Sequence, residues 1–175
     1  MKLTDILPTE KWVELEKEIV ERYDVDSNVF NVDGFRISEF KAWANDLCPA
    51  IKATDKGQSF ICAVAHMNIA AQAMQTRKAV VEECDAGLVK IVVPIFLDGL
   101  FLGAVGACGV LIEDGDVDTF LINKIAEIPE ETVEHLSAKI GAISNEKALE
   151  LSQFVQDRVD EIIAAYKQSK HRGNR

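Results

Sequence analysis

The stretch "LVKIVVPIFLDGLFLGAVGACGVLI" (residues 88–112) contains two long apolar segments separated by Asp98 and Gly99. Asp-Gly between two apolar runs predicts a tight hairpin, because the turn needs positive φ angles that Gly adopts freely and Asp tolerates. The two segments therefore predict adjacent antiparallel strands. "AVVEEC" (residues 79–84) predicts a third strand, so the centre of the chain is expected to form an antiparallel meander.

Two helices are predicted before this meander. "EKWVELEKEIVERY" (residues 10–23) repeats apolar residues every three or four positions, which places them on one helix face. These residues are Trp12, Leu15, Ile19 and Tyr23. "KGQSFICAVAHMNIAAQAMQTRK" (residues 56–78) is an Ala-rich helix with few charges, which indicates that most of its circumference is buried.

The segment between these helices carries signals for both strand and helix. "SNVFNVDGFRI" (residues 27–37) predicts a strand, a tight Asp-Gly turn and the start of a second strand. "SEFKAWANDLC" (residues 38–48) predicts a short helix that begins with Ser38 as its cap and ends near Pro49.

The chain after the meander is predicted to be helical. Two shorter helices are expected in residues 116–128 and 128–143, and a long one in residues 145–168. The long helix has an apolar stripe at heptad-like spacing, which suits packing on the domain or pairing with a second copy. Its members are Leu151, Val155, Val159, Ile162 and Tyr166. The fold class is therefore α+β: an antiparallel sheet flanked by helices, with N- and C-terminal helices.

The length and spacing favour one domain over residues 1–175. Its core is expected at about residues 26–127, after an N-terminal helix in residues 1–25 and before C-terminal helices in residues 128–175. The net charge of −10 argues against direct nucleic-acid binding, which needs a basic surface. The one basic cluster lies at the C-terminal tail and consists of Lys167, Lys170, Arg172 and Arg175.

Neither a signal peptide nor a membrane-spanning segment is evident in the sequence. It shows no export signal and no apolar run long enough to span a membrane, so a cytoplasmic location without membrane association is expected. In that reducing compartment the four cysteines are expected to be free thiols or metal ligands, not disulfides.

Five residues form the clearest constellation for chemistry: Cys48, Cys62, His66, Cys84 and Cys108. Cys62 and His66 are four residues apart on one helix and share a face. Thiolates suit zinc or an iron–sulfur cluster, but the sequence has no C-x-x-C pair, which such sites usually contain. Buried core cysteines, metal ligands and redox thiols all remain open interpretations.

Two glycine-containing segments also allow more than one interpretation. "GAVGACG" spaces Gly103, Gly106 and Gly109 three apart inside a predicted strand. This pattern fits a strand with a bulge or a closely packed helix, or the close approach of a small ligand to the backbone. In "CDAGL" (residues 84–88), Asp85 either stabilises a turn or points its carboxylate into a pocket.

The segment "LCPAIKATDKGQSFICAVAHMNIAAQAMQTRKAVVEECDAGLVKIVVPIFLDGLFLGAVGACG" (residues 47–109) resembles the PocR-type sensory domain family. The residues that fit the family pattern are Cys48, Cys62, Cys84, Gly87, Leu88, Pro94, Ile95, Leu102 and Gly103. The resemblance implies a PAS-like or GAF-like fold that encloses a ligand pocket. Two positions depart from the pattern: Asp85 stands where the family usually has His, and Cys108 where it often has Gln.

This resemblance implies a non-enzymatic bacterial sensory domain, similar to the input modules of regulators of transcription and of kinases. A small organic ligand is expected to enter a pocket between the sheet and the Phe60–Met74 helix, and the flanking helices to signal to a partner protein or within a homodimer. The expected ligand-binding residues are Cys48, Cys62, His66, Cys84, Asp85 and Cys108.

Two alternatives belong to other functional classes. A metal or iron–sulfur redox sensor would use Cys48, Cys62, Cys84 and Cys108 as ligands, with an iron–sulfur cluster or zinc as the cofactor. A thiol enzyme would instead use a cysteine activated by His66.

Overall fold

The computed structural model describes residues 1–173, so the predicted tail residue Arg175 lies outside the described residues. The helices are α1 (Leu3–Ile6), α2 (Thr9–Tyr23), α3 (Leu47–Lys52), α4 (Asp55–Gly57), α5 (Val64–Thr76), α6 (Thr119–Ala126), α7 (Glu130–Ser137) and α8 (Asn145–Gly173), with a π-helical segment (Gln58–Ala63) between α4 and α5. The strands are β1 (Asp26–Asn31), β2 (Val80–Glu83), β3 (Val89–Leu97), β4 (Leu100–Ile112) and β5 (Ala142–Ile143).

The strands form one sheet in the order β1-β4-β3-β2, with antiparallel neighbours, and the short β5 adds to β4 in parallel. The predicted hairpin forms between β3 and β4. Asp98 and Gly99 are its turn, with φ angles of 49° and 86°. The α+β prediction of an antiparallel sheet flanked by helices is confirmed.

Side chains of β3 alternate between the two faces of the sheet. Ile91 and Val93 belong to the large core that the sheet forms with α2 and α8. Val92 belongs to a smaller core on the other face, which includes Ile69 and Ala73 of α5. The sheet is therefore covered by α2 and α8 on one side and by α5 on the other.

The long C-terminal helix packs on the domain itself. Leu151, Val155 and Val159 are buried in the large core, and Ile162 and Tyr166 pack against it from its edge. Of the two roles that the apolar stripe allowed, the structure shows packing on the sheet.

Residues 32–46 differ from the prediction. The second strand after the Asp-Gly turn is reduced to a single bridge between Phe30 and Arg36, and the helix predicted for residues 38–48 is wrong. Ser38 does not cap a helix: its hydroxyl donates to the buried Glu16 carboxylate at 2.7 Å, which ties this segment to α2. Pro49 lies inside the first turn of α3, where a missing N–H costs no helical hydrogen bond.

Two further details were not predicted. β5 lies where a helix was expected to continue, because Leu111 and Glu113 of the β4 region donate backbone hydrogen bonds to residues 141 and 143. In β4, the pairing with β3 passes from Val110 to Cys108, so that Gly109 is an extra, bulged residue with a φ of 96°. No helix within residues 1–173 combines the length and the apolar character needed to cross a lipid bilayer.

Candidate functional site

A row of three residues crosses the sheet on the side that faces α5. Cys108 of β4 lies directly opposite Asp26 of β1 and also opposite Lys90 of β3. Residues that oppose each other on neighbouring strands point to the same face. Lys90 also has the same parity along β3 as Val92, which packs against α5. The row therefore places a thiol and an ammonium group beneath the helical layer.

A cavity of about 650 Å³ lies between this face of the sheet and the helical layer. Its walls come from residues 33–43, α3, the π-helical segment, the start of α5, and the sheet. The lining includes all four cysteines and His66, together with the aromatic residues Phe30, Phe35 and Trp43. Five of the six ligand-binding residues expected from the sequence thus line one cavity.

Asp85 is the exception. It is exposed in the turn between β2 and β3, and it is not among the residues that line the cavity. In the same turn, Gly87 has a φ of 83°, and the Cys84 N–H donates to the Leu88 carbonyl at 2.8 Å. A Cβ at Gly87 would lie 2.3 Å from the Asp116 carbonyl oxygen, so the turn needs a glycine to hold Cys84 against the cavity.

Cys48 is held in place by Asn45. The Asn45 side-chain amide donates to the Gly109 carbonyl at 2.6 Å, and its oxygen accepts from the Cys48 N–H at 2.7 Å. One side chain thus connects the start of α3 to the bulge of β4. These bonds fix the distance between the helical wall of the cavity and its sheet wall.

The thiols are free, and burial controls their chemistry. Burial raises the pKa of Cys48 to about 12 and that of Cys62 to about 11, and it also raises the pKa of Cys84. The Cys108 thiol lies close enough to contribute to all three shifts. These three thiols are therefore protonated near neutral pH, whereas a nucleophilic cysteine needs a lowered pKa.

His66 is buried, and its Nδ1 atom has no hydrogen-bond partner among the described residues. Burial, together with the positive charges of Lys90, Lys52 and Arg36, lowers the pKa of His66 to about 3. The imidazole is therefore neutral near pH 7. This geometry gives no support to the thiol-enzyme alternative, in which His66 would activate a cysteine.

The metal alternative requires several ligand side chains to lie close together. Within residues 1–173, no three His, Cys, Asp or Glu side chains come together in a way that could hold a metal ion. Zinc and iron–sulfur sites normally gather four protein ligands around the metal. Cys48, Cys62, Cys84 and Cys108 share the cavity wall without forming such a group among the described residues, so the iron–sulfur or zinc alternative stays a prediction from the sequence.

Sequence reasoning missed the cations of the cavity wall, which are Arg36, Lys41, Lys52 and Lys90. A usable signal existed for Lys90. It is the one charged residue in the apolar segment that forms β3, and a lysine is seldom buried unless its charge has a partner. For Arg36 and Lys41 the sequence held no comparable signal, because the irregular segment that carries them was predicted to be strand and helix.

The comparison with protein families agrees with this architecture. The family described as the sensory domain found in PocR matches residues 5–166. The chain belongs to the PocR sensory domain family. The match extends over α2, the whole sheet and most of α8, so this PocR sensory domain includes the helices on both sides of the predicted core. Searches among curated proteins and among solved structures found no match.

Membership of this family gives the chain a sensory function that depends on binding a small-molecule ligand. A sensory domain acts by binding, which favours a non-enzymatic role. The family match therefore confirms the resemblance seen in residues 47–109 and extends it to residues 5–166.

Proposed function

We propose that this PocR sensory domain binds a small organic molecule in the cavity between the sheet and the α3–α5 layer and signals through α2 and α8. The cavity of about 650 Å³ carries this proposal. Small-molecule sites usually have volumes of about 300–1,000 Å³, with mostly apolar walls and a few polar groups. The aromatic residues, the thiols and His66 provide such walls.

The route to the flanking helices leads through β3. Lys90 faces the cavity, whereas Ile91 and Val93 pack in the core with α2 and α8. A ligand that moves β3 therefore acts on both helices. Such a shift requires the ligand to bind one arrangement of the protein more tightly than the other.

The two flanking helices are also joined to each other. The Tyr23 hydroxyl donates to Glu150 at 3.2 Å, and Arg158 donates to Glu18 at 3.1 Å. Both links connect α2 with α8 at the protein surface. We propose that a second copy of the chain or a partner protein of a bacterial regulatory system recognises this helix pair. Light scattering with and without ligand tests the homodimer.

Tryptophan fluorescence tests ligand binding directly. The chain has two tryptophans: Trp43 lines the cavity, and Trp12 is fully buried in the large core. A panel of alcohols, diols, amines and carboxylic acids is titrated while the emission and the melting temperature are recorded. A true ligand changes the Trp43 emission and raises the melting temperature.

Two variants show whether a signal comes from the cavity. In Trp43→Phe the emission change is lost while the rise in melting temperature remains. Ala63→Phe places a ring at the cavity wall and abolishes both signals, whereas Ala71→Phe, at an exposed position of α5, leaves them intact. A rise in melting temperature that survives Ala63→Phe would contradict the proposed site.

A further inference from the structure

The cavity wall carries more positive than negative side chains, whereas the chain as a whole is negatively charged. The sequence contains 19 Lys and Arg against 29 Asp and Glu. The cavity lining, however, contains four cations and a single carboxylate. They are Arg36, Lys41, Lys52 and Lys90 against Asp33. A positive concave surface in an acidic protein concentrates anions from solution.

Lys90 is the most deeply placed of these cations. The residue is 9% exposed, and no carboxylate oxygen within residues 1–173 lies within 4.0 Å of its Nζ atom. An ammonium group at such a site has lost part of its hydration without gaining an ion-pair partner, which is unfavourable. On a cavity wall, such a group provides a contact for a ligand of opposite charge.

The nearby carboxylate Asp26 offsets only part of this charge. It is buried, and its Oδ2 atom lies 3.9 Å from Nη2 of Arg36. Burial raises the pKa of Asp26, and the positive charges of Arg36, Lys52 and Lys90 oppose this rise because they attract its charged form. Lys52, whose Nζ lies 5.0 Å from the centre of the Trp43 ring, and Lys90 are left without an ion pair among the described residues.

His66 completes the polar wall without adding charge. Its Nδ1 atom is buried and unpartnered, and the residue is 5% exposed at the cavity. Lys90 and His66 meet at the ring of Phe30, whose centre lies 6.0 Å from the Lys90 Nζ atom and 3.8 Å from the centre of the His66 ring. The neutral imidazole carries one N–H group, which adds a hydrogen-bond donor but no charge to this wall.

The opening of the cavity is lined by partly exposed apolar side chains. Phe35, Trp43 and Met67 line it and are 70%, 40% and 64% exposed. Partly exposed apolar residues on a cavity wall mark its contact with solvent. Lys90 and His66 are therefore deep in the cavity, whereas the aromatic residues lie near the surface, with Lys52 beside Trp43.

We propose that the ligand of this cavity is an organic anion whose carboxylate or phosphate group binds the deep Lys90 beside His66, with Lys52 near Trp43 adding a second positive charge. Its apolar body extends toward Phe35 and Trp43. This inference rests on the proposed ligand-binding function and narrows it to one class of small molecule.

A pair of fluorescent probes with the same body tests the inference. Anilinonaphthalene sulfonate carries one negative charge, and phenylnaphthylamine is its uncharged counterpart. We expect the anionic probe to bind at least about tenfold more tightly, since a charge-assisted contact contributes 1.4 kcal/mol or more, about a factor of ten. Ala63→Phe should abolish this binding, and Ala71→Phe should preserve it.

Lys90→Met removes the charge and keeps an apolar stem of similar length. We expect this variant to lose the preference for the anionic probe and to melt at the same or a higher temperature than the parent protein. Lys78→Met, at an exposed position away from the cavity, is the matched control and should change neither property.

The outcomes separate the inference from the proposed function. The proposal of an anionic ligand is refuted if the neutral probe binds the cavity as tightly as the anionic one, or if Lys90→Met still prefers the anionic probe. The proposed ligand-binding site is unaffected by either result. If Lys90→Met is clearly destabilised, the protein itself satisfies the ammonium group, and the inference also fails. If neither probe gives a signal that Ala63→Phe removes, both proposals fail.

A second panel separates the two kinds of anion. Short aliphatic and aromatic carboxylic acids are compared with the corresponding alcohols and phosphate monoesters by melting temperature. Stronger stabilisation by the acids assigns a carboxylate, and stronger stabilisation by the esters assigns a phosphate. Equal stabilisation by the alcohols would overturn the inference.

Discussion

His66 stacks on Phe30, with 3.8 Å between the ring centroids and 30° between the ring planes. The contact joins α5 to β1 at the cavity and leaves Nδ1 of the imidazole without a partner. A charged imidazolium would be buried there and repelled by the positive charges of Lys90, Lys52 and Arg36. The stack is therefore a contact that depends on a neutral ring.

The first prediction concerns pH. The pKa of His66 is about 3 in the folded protein, below the ordinary 6.5, so the unfolded chain binds the extra proton. The stability provided by the neutral ring is fully present above pH 6.5 and is lost as pH falls toward 3. Compared with His66→Phe, the parent protein should lose about 2 kcal/mol of unfolding free energy between pH 7 and pH 5.

Urea unfolding of both proteins at several pH values measures this difference. The buried carboxylates Glu16 and Asp26 are common to both proteins, and burial raises the pKa of each. Their contributions cancel in the comparison as long as the variant keeps the fold. If the unfolding free energies of the two proteins changed in parallel with pH, His66 would take up its proton equally well in the folded and the unfolded chain. That outcome would contradict the prediction.

The second prediction concerns thiol reactivity. Because burial raises the pKa of Cys62 to about 11 and of Cys48 to about 12, little thiolate is present at neutral pH. Both should react with iodoacetamide at least about tenfold more slowly in the folded protein than in the urea-unfolded chain. Peptide mass spectrometry resolves the sites. Equal labelling rates in the two states would contradict the burial of these thiols and revive the thiol-enzyme alternative.

The third prediction concerns Glu16, whose carboxylate accepts hydrogen bonds from the Val29 N–H at 2.8 Å and from the Ser38 hydroxyl at 2.7 Å. Glu16→Ala leaves both buried donors unpaired and should lower the unfolding free energy by about 2–4 kcal/mol. Glu21→Ala, at an exposed position of the same helix, should stay within about 0.5 kcal/mol of the parent protein. Chemical denaturation compares the two variants, and similar losses for both would exclude a special role for Glu16.

The fourth prediction uses two leucines of α8. Leu151 is fully buried against the sheet, whereas Leu149 is 64% exposed. Leu151→Ala should cost about 2–5 kcal/mol of unfolding free energy, because it leaves a cavity in the core. Leu149→Ala should cost less than about 0.5 kcal/mol in a monomer. A large loss for Leu149→Ala, together with a change of mass in light scattering, would place Leu149 in an interface between copies.

The sheet was predictable because its signals are local. The Asp98-Gly99 turn and the two apolar runs around it determine the β3–β4 hairpin whatever the rest of the chain does. β5 and the irregular residues 32–46 depend instead on distant partners, such as the hydrogen bond from Ser38 to Glu16. Local patterns could not reveal these partners.

The site was predictable in part for a similar reason. The resemblance to a family indicated Cys48, Cys62 and Cys84, the residue type added Cys108, and helical spacing joined Cys62 to His66. The charge of the cavity wall results from the register between strands, which sets Lys90 opposite Cys108, and from the path of the segment that carries Arg36. Neither follows from composition, because the chain as a whole is acidic.

Side chains alternate along β3, so the register of this strand decides which of them face the core and which face the cavity. A slip of this strand by a single residue would exchange Lys90 with Ile91, and so turn an ammonium group into the core beneath α8. The same slip would present an isoleucine to whatever occupies the cavity. Recognition and folding thus select the same alignment of β3, and an error in that alignment would abolish both together.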